Sequence, residues 1–247
     1  MKHSLRRRIN SFIGLLYFYA LAYIVRAPSS APLLVLRMSI FIALLSIIAG
    51  KDYAVHVLSG TLVALAFGAG LSQFSVDVNA LRVSGYRYLL LNTPLGPISF
   101  AVATATGMSL LSFIGMSVFF IPWYYLCKPS ALGLFELLVV LALTWLCGLL
   151  IGFLLTVFIK TPHVLFNVTD TVYALLVYLM PVYYPLKLIP ARIRAFTLIS
   201  PATHGAVLVR EIALKGHITT PGNLEALLAA VIILLLATSK LTKWRED

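Results

Sequence analysis

Six long apolar runs constrain this chain more than any other feature in it. They cover residues 33–50, 55–75, 98–121, 134–158, 165–184 and 224–240. Each approaches or exceeds the roughly 20 apolar residues that carry a helix across hydrocarbon. The chain is 61% hydrophobic and only 11% charged, whereas a soluble domain is about half apolar and a quarter charged. The excess lies in the runs, so the expected fold is all-α and integral to a membrane, with six transmembrane helices in one domain over residues 1–247.

The formal charge of +11 would suggest nucleic acid in a soluble chain. Here the basic residues sit mostly at span ends, where they orient a protein in a membrane, and no nucleic-acid partner is expected. With the N-terminus in the cytoplasm, Lys2, Arg6, Arg7, Arg8, Arg26, Arg82, Arg87, Lys160, Lys240, Lys243 and Arg245 all fall inside. Lys51, Lys128 and a group between residues 187 and 215 fall outside. That group sits in a long segment, where the rule is weaker. Six spans then place both basic termini in the cytoplasm, as in a multi-pass protein of the plasma membrane. Cys127 and Cys147 should lie roughly 20 Å or more apart at 1.5 Å of rise per helical residue, too far for a disulfide.

Residues 9–25 leave three readings open. Arg6-Arg7-Arg8 followed by an apolar stretch resembles a signal peptide, with Ala20-Leu21-Ala22 as a cleavage-site mimic. A short additional span is the second reading, although it would move the basic N-terminus outside. The third is an interfacial helix in segment 1–27, which suits Tyr17, Tyr19 and Tyr23 at the headgroup boundary.

The break between the second and third runs, Ser75 to Pro97, carries Asp77, Arg82 and Arg87 and cannot lie in hydrocarbon. Val78, Leu81, Gly85 and Leu89 recur at helical spacing, and Asn92-Thr93-Pro94 ends the pattern, because proline restricts the residue before it. The expectation for residues 76–96 is a short amphipathic cytoplasmic helix that presses against another component. In the second run Gly60, Ala64, Gly68 and Ser72 recur every four positions, and Ser99, Ala103 and Gly107 continue the device in the third. Such residues let helix backbones approach closely in lipid, either within the chain or at a subunit contact. Residues 185–223 form the longest external connection. Pro190 to Ile199 and Ala202 to Leu214 can each make a short helix, with the bend at Pro201 and the Gly205 region. Ala191, Phe196, Leu198, Val207, Leu208 and Ile212 suit a hairpin that re-enters the membrane or lies on its outer leaflet.

Catalytic constellations do not emerge. The five histidines are scattered without helical zinc spacing, so no metal is expected. Gly107-Met108-Ser109 and Gly115-Met116-Ser117 lack the glycine that a nucleophile elbow requires. Gly50-Lys51 lacks the upstream glycine of a phosphate loop, and Asp52 stands where Ser or Thr would hold magnesium. Asn167-Val168-Thr169 matches a glycosylation acceptor but falls on the cytoplasmic side of this topology. Glu136 lies near the outer end of the fourth run. Asp170 lies roughly 9 Å into the fifth, as part of a polar helix start or as a residue of a transport pathway.

Two stretches carry a resemblance to a known family. Arg82-Val-Ser-Gly85-Tyr-Arg-Tyr-Leu-Leu-Leu-Asn-Thr-Pro94-Leu95 is similar to the Arg-x-x-Gly…Leu-Leu-x-x-Pro signature of ABC-2 type transporter permeases. Pro181-Val-Tyr-Tyr-Pro185-Leu, then Ile189-Pro190, Ser200-Pro201-Ala-Thr203 and Arg210 resemble that family's proline-marked turn, external helices and following arginine. Many members have Asn-Pro-Leu-Thr where this chain has Ser-Pro-Ala-Thr. The resemblance implies a permease of an ABC exporter that is not itself an enzyme. It also implies a cytoplasmic coupling helix at 76–96 and an external re-entrant helical hairpin at 185–223, before the last span. It further implies a separate ATPase subunit that binds ATP and Mg, none being held by this chain. That subunit would meet Arg82, Gly85, Tyr86 and Arg87. A second permease, identical or paralogous, would complete the path through the lipid bilayer. Substrates in the family range over polysaccharides, lipid-linked glycans, drugs and peptides, and Trp123, Tyr124, Tyr125, Tyr178, Tyr183 and Tyr184 would either stack on a sugar or form an aromatic belt. The rival class is a stand-alone secondary transporter or channel, which should show internal repeats; residues 33–121 and 134–240 share no evident one.

Overall fold

The computed structural model describes residues 9–18, 35–36, 39–40, 43, 53–73, 75 and 97–241. Among these every regular element is helical. The helix α1 covers Ile9–Phe18. Ala54–Gly68 forms α2, which runs on as a π-helical turn to Gln73. Then come α3 (Pro97–Cys127), α4 (Ala131–Phe158) and α5 (Pro162–Tyr173), the last continuing as a π-turn to Leu179. After a single 3-10 turn at Leu186–Leu188 follow α6 (Ala191–Thr197), α7 (Pro201–Lys215) and α8 (Gly222–Leu241). Among the described residues three segments are long and apolar enough to cross a membrane: Ala54–Ser72, Ala131–Phe158 and Gly222–Lys240. Most of the first predicted span, the whole amphipathic segment 76–96 and the extreme termini lie outside the described residues.

The second apolar run becomes the centre of the molecule. Every residue of α2 from Val57 to Phe67 is buried, as expected of a helix that is apolar all round. It packs against α3, α4 and α7. Because α2 and α4 meet through glycines, their backbones lie in contact. Gly148 faces Phe67 and Leu71, Gly152 faces Leu71, and Gly70 faces Trp145 and Leu149. The pairs advance together along both helices, so α2 and α4 run in the same direction. In contrast, α3 runs against them: Trp123 near its end donates its indole N–H to Ser59 Oγ at 2.9 Å, early in α2. Ser109 in mid-α3 accepts from Trp145 Nε1 at 2.9 Å and donates to Ala69 O. The buried indole of Trp123 and the half-buried one of Trp145 thus each find a partner, as polar groups inside an apolar bundle require. The buried hydroxyls of Thr61 and Thr144 donate to carbonyls one turn back, Val57 O and Val140 O.

Two sequence expectations are corrected. The fifth run was predicted to stay helical to Tyr184, but the helix ends at Leu179. Met180 precedes Pro181 and takes an extended ψ of 158°, because the proline ring disfavours helical geometry in the residue before it. The second concerns the bend before α7. Pro201 opens α7 directly after the bend that follows α6, as expected, a position that suits its missing amide and fixed φ, so the correction is to Gly205. Gly205 lies inside α7, where it gives room for Thr144 Oγ1, 2.5 Å from where a Cβ would stand.

Candidate functional site

The small residues of the second run face the chain's own elements. Gly60 lies against the carbonyl of Val182, Gly68 against the ring of Tyr173, and Ala64 O accepts from Tyr173 Oη at 3.3 Å. The carbon chain therefore closes α5 and the turn after it directly onto α2.

That turn, Met180–Tyr184, is organised by one cation. Arg210 on α7 is 5% exposed, and its guanidinium donates to Pro181 O at 3.2 Å and to Val182 O. These carbonyls lie just past the end of α5, where unpaired C=O groups carry the negative end of the helix dipole. The positive charge is held by that end in place of a carboxylate. Among the described residues the ion pair found joins Lys215 to Glu211, and the two hydrogen bonds of Arg210 go to backbone carbonyls. Beside the turn Tyr178 stacks on Tyr183 at 6.1 Å, and Tyr173 meets Tyr178 edge-on at 5.5 Å.

The other end of α7 is tied to α4. Gly216 closes the helix in the left-handed region, φ 84°, where glycine is strain-free. Its carbonyl accepts from Ser130 Oγ at 2.7 Å, and Ser130 also caps α4 by accepting from Gly133 N at 3.0 Å. Glu136 accepts from Ile218 N at 2.7 Å. Glu211 accepts from Lys215 Nζ at 3.0 Å, from Thr219 Oγ1, and from Thr220 Oγ1 at 2.8 Å. Burial alone would raise the Glu211 carboxyl, but hydrogen bonds from Thr219, Lys215 and Thr220 outweigh it and hold it at about 2. A depressed carboxylate stabilises the fold above its unfolded value, and that contribution is lost as pH falls towards the folded one. The wild type should therefore lose melting temperature between about pH 4.5 and about pH 2. Glu211→Gln should melt lower near neutrality and show a flatter acid limb by differential scanning fluorimetry.

A third link is His204, whose Nε2 reaches Leu198 O at 2.7 Å while Nδ1 lies 2.9 Å from Asn223 Oδ1. It joins the bend before α7 to the start of α8. The ends of α4, α7 and α8 thus form one cross-linked cap over the α2 core.

Of the predicted site residues, Asp170 is exposed on α5, on a face that also carries Asn167 and Thr171, while Leu165, Thr169 and Tyr173 face inward. Trp123 is fully buried and bonded to Ser59, which removes it from a sugar path; Tyr124 and Tyr125 are exposed. Arg82, Gly85, Tyr86 and Arg87 fall in the segment outside the described residues. The roles of Gly70, Gly148 and the Glu211 cluster were not anticipated, although Glu211 and Lys215 do stand at the i, i+4 spacing of a helical ion pair.

The ABC-2 type transporter family model matches residues 12–214. The chain belongs to that family. The match runs from within α1 to the end of α7, and so includes the Arg82…Pro94 stretch, the Pro181 turn and Arg210. No curated protein sequence matches the chain. Members of this family are the membrane component of ABC transporters and work with an ATPase subunit. This ABC-2 protein is accordingly a permease component of an ABC transporter.

Proposed function

We propose that this ABC-2 permease is half of an ATP-driven exporter in the plasma membrane. It would have six spans and cytoplasmic termini, and would pair with a second permease, identical or paralogous. A separate ATPase, binding ATP and Mg, docks on the helix expected at residues 78–90 and meets Arg82, Gly85, Tyr86 and Arg87. The N-terminal helix is its second contact. The observation that carries the reading is the family match, which extends across the docking segment and the first five apolar runs.

The chain order supplies a mechanism. The docking segment follows α2 and precedes α3, so closure of the ATPase pushes on both helices through the backbone. Glycine contacts make α2 and α4 a stiff pair, and α7 packs on both. A push therefore moves the pair and the cap at its far end together, which tilts the spans and opens a path between two permeases. Asp170 and its polar neighbours stand on an open face of α5, suited to line that path. Export as the direction follows from the family resemblance of the two signature stretches.

The test is the double replacement Arg82→Ala/Arg87→Ala. Interface arginines contribute about 1–2 kcal/mol each when they anchor a contact, so recovery of the ATPase subunit with the tagged permease should fall about tenfold or more, while membrane insertion stays normal. Undiminished ATPase recovery would remove the docking role from this segment.

A further inference from the structure

The helix α6 is held to the body of the molecule by one side only. Ile189 and Thr197 are buried on that side, while the bonds from Arg194 Nη2 to Ile189 O at 3.2 Å and from Thr197 Oγ1 to Arg194 O close within the segment itself. The other side is open. Leu188 is 60% exposed, Ile193 56%, Phe196 60% and Ile199 68%. With Leu198, also exposed, five large apolar side chains within twelve residues are thus presented away from the bundle. Lys187 and Arg192 are exposed among them. Between Asp170 and Glu211 the sequence holds Lys187, Arg192, Arg194 and Arg210 and no carboxylate at all.

We propose that this surface docks on anionic lipid headgroups of the bilayer, with Lys187 and Arg192 as the headgroup contacts and Ile193, Phe196 and Ile199 in the acyl boundary. Apolar side chains bordered by cations characterise segments that lie in the membrane interface. Cations at that depth hold their charge in water while their stems cover apolar surface, and each is drawn to an anionic headgroup within a Debye length, about 10 Å at 0.1 M salt. A second copy is a poorer occupant, since a symmetric contact would set Lys187 and Arg192 against their own counterparts, in a stretch that holds no carboxylate between Asp170 and Glu211. The inference rests on the chain lying in a membrane, and not on its pairing with an ATPase or on the direction of transport.

The test is fluorescence of an environment-sensitive label at Ile193→Cys, with Cys127 and Cys147 replaced by alanine. The protein is reconstituted in phosphatidylcholine vesicles, with and without phosphatidylglycerol. The expected result is blue-shifted emission, quenched by lipids spin-labelled near the headgroup, more strongly with phosphatidylglycerol. Adding Lys187→Gln/Arg192→Gln should abolish most of that extra quenching. Iodide-accessible emission at the aqueous wavelength overturns the proposal, as does equal quenching in both vesicle types. Blue-shifted emission without lipid quenching also overturns it and points to a second protein copy. In the cysteine-intact chain, phosphatidylglycerol should raise the melting temperature, and Lys187→Gln/Arg192→Gln should lose that rise while melting normally in phosphatidylcholine. An undiminished rise in that variant counts against the proposal. Neither assay needs an ATPase, so failure here is separate from failure of the exporter reading.

Discussion

Arg210→Met is expected to leave most of the protein unfolded or aggregated on extraction from the membrane. The guanidinium spans from α7 to the carbonyls of Pro181 and Val182, which lie where α5 has just ended and can no longer bond within a helix. Methionine keeps the apolar stem and removes both donors. An abandoned buried acceptor costs about 1–3 kcal/mol, and two are abandoned together. That is a large fraction of the 5–15 kcal/mol that holds a typical domain folded. The loss should also spread, because Val182 O lies against Gly60 of the central helix. Arg210→Lys should fall between wild type and methionine, since an ammonium can still donate to the two carbonyls that Nη2 now serves but is more strongly hydrated than a guanidinium and costs more to bury. Size-exclusion profiles and melting curves in mild detergent check this; a methionine variant that melts with the wild type would show that the turn is held by something else.

Gly148→Ala should be nearly as damaging, although it adds one methyl group. A Cβ at Gly148 would stand inside 3.0 Å of Phe67 O, a distance that real Cβ contacts essentially never show. The obstacle is backbone, so no rotamer change relieves it and α2 and α4 must separate. Overpacking of this kind costs typically 1–3 kcal/mol. It more than cancels the advantage of alanine over glycine inside a helix, about 1 kcal/mol. Gly70→Ala meets the same contact from the other side, with Leu149 N 2.6 Å from its Cβ position. Gly222→Ala is the control, since nothing lies within 4 Å of its Cβ position. The expected order of melting temperatures is wild type and Gly222→Ala together, with Gly148→Ala and Gly70→Ala well below. Equal melting of all four would mean that the two helices are not in backbone contact.

The helices that apolar runs can specify were legible in the sequence. The described ends of α2, α4 and α8 fall within a few residues of the predicted runs. A run ends where charge or proline appears, and those are local properties. The fifth run was overextended because Pro181 sits in apolar surroundings, where composition continues although the backbone cannot. Gly205 was misread for a related reason: glycine serves bends and close approaches equally, and only the position of Thr144 across the bundle decides between them. The small residues at 60, 64 and 68 were visible as a stripe, but their partners in the Val182 turn and Tyr173 lie more than a hundred residues away. Glu136 reads in the sequence only as a charge near the outer end of its run, because its partner is the backbone N–H of Ile218, which no residue type signals. Arg210 was visible as a motif residue, while its burial was not, because the stretch around it reads as a surface connection. The predicted docking residues at 82–87 are carried by sequence and by the family match alone.

The most direct test of the central claim is affinity purification of the full-length permease from its native membrane in mild detergent, with identification and quantification of what remains bound. The account predicts a soluble ATPase recovered in a one-to-one ratio with the permease. A homogeneous oligomer of the permease alone, with no ATPase even after gentle solubilisation, would contradict it.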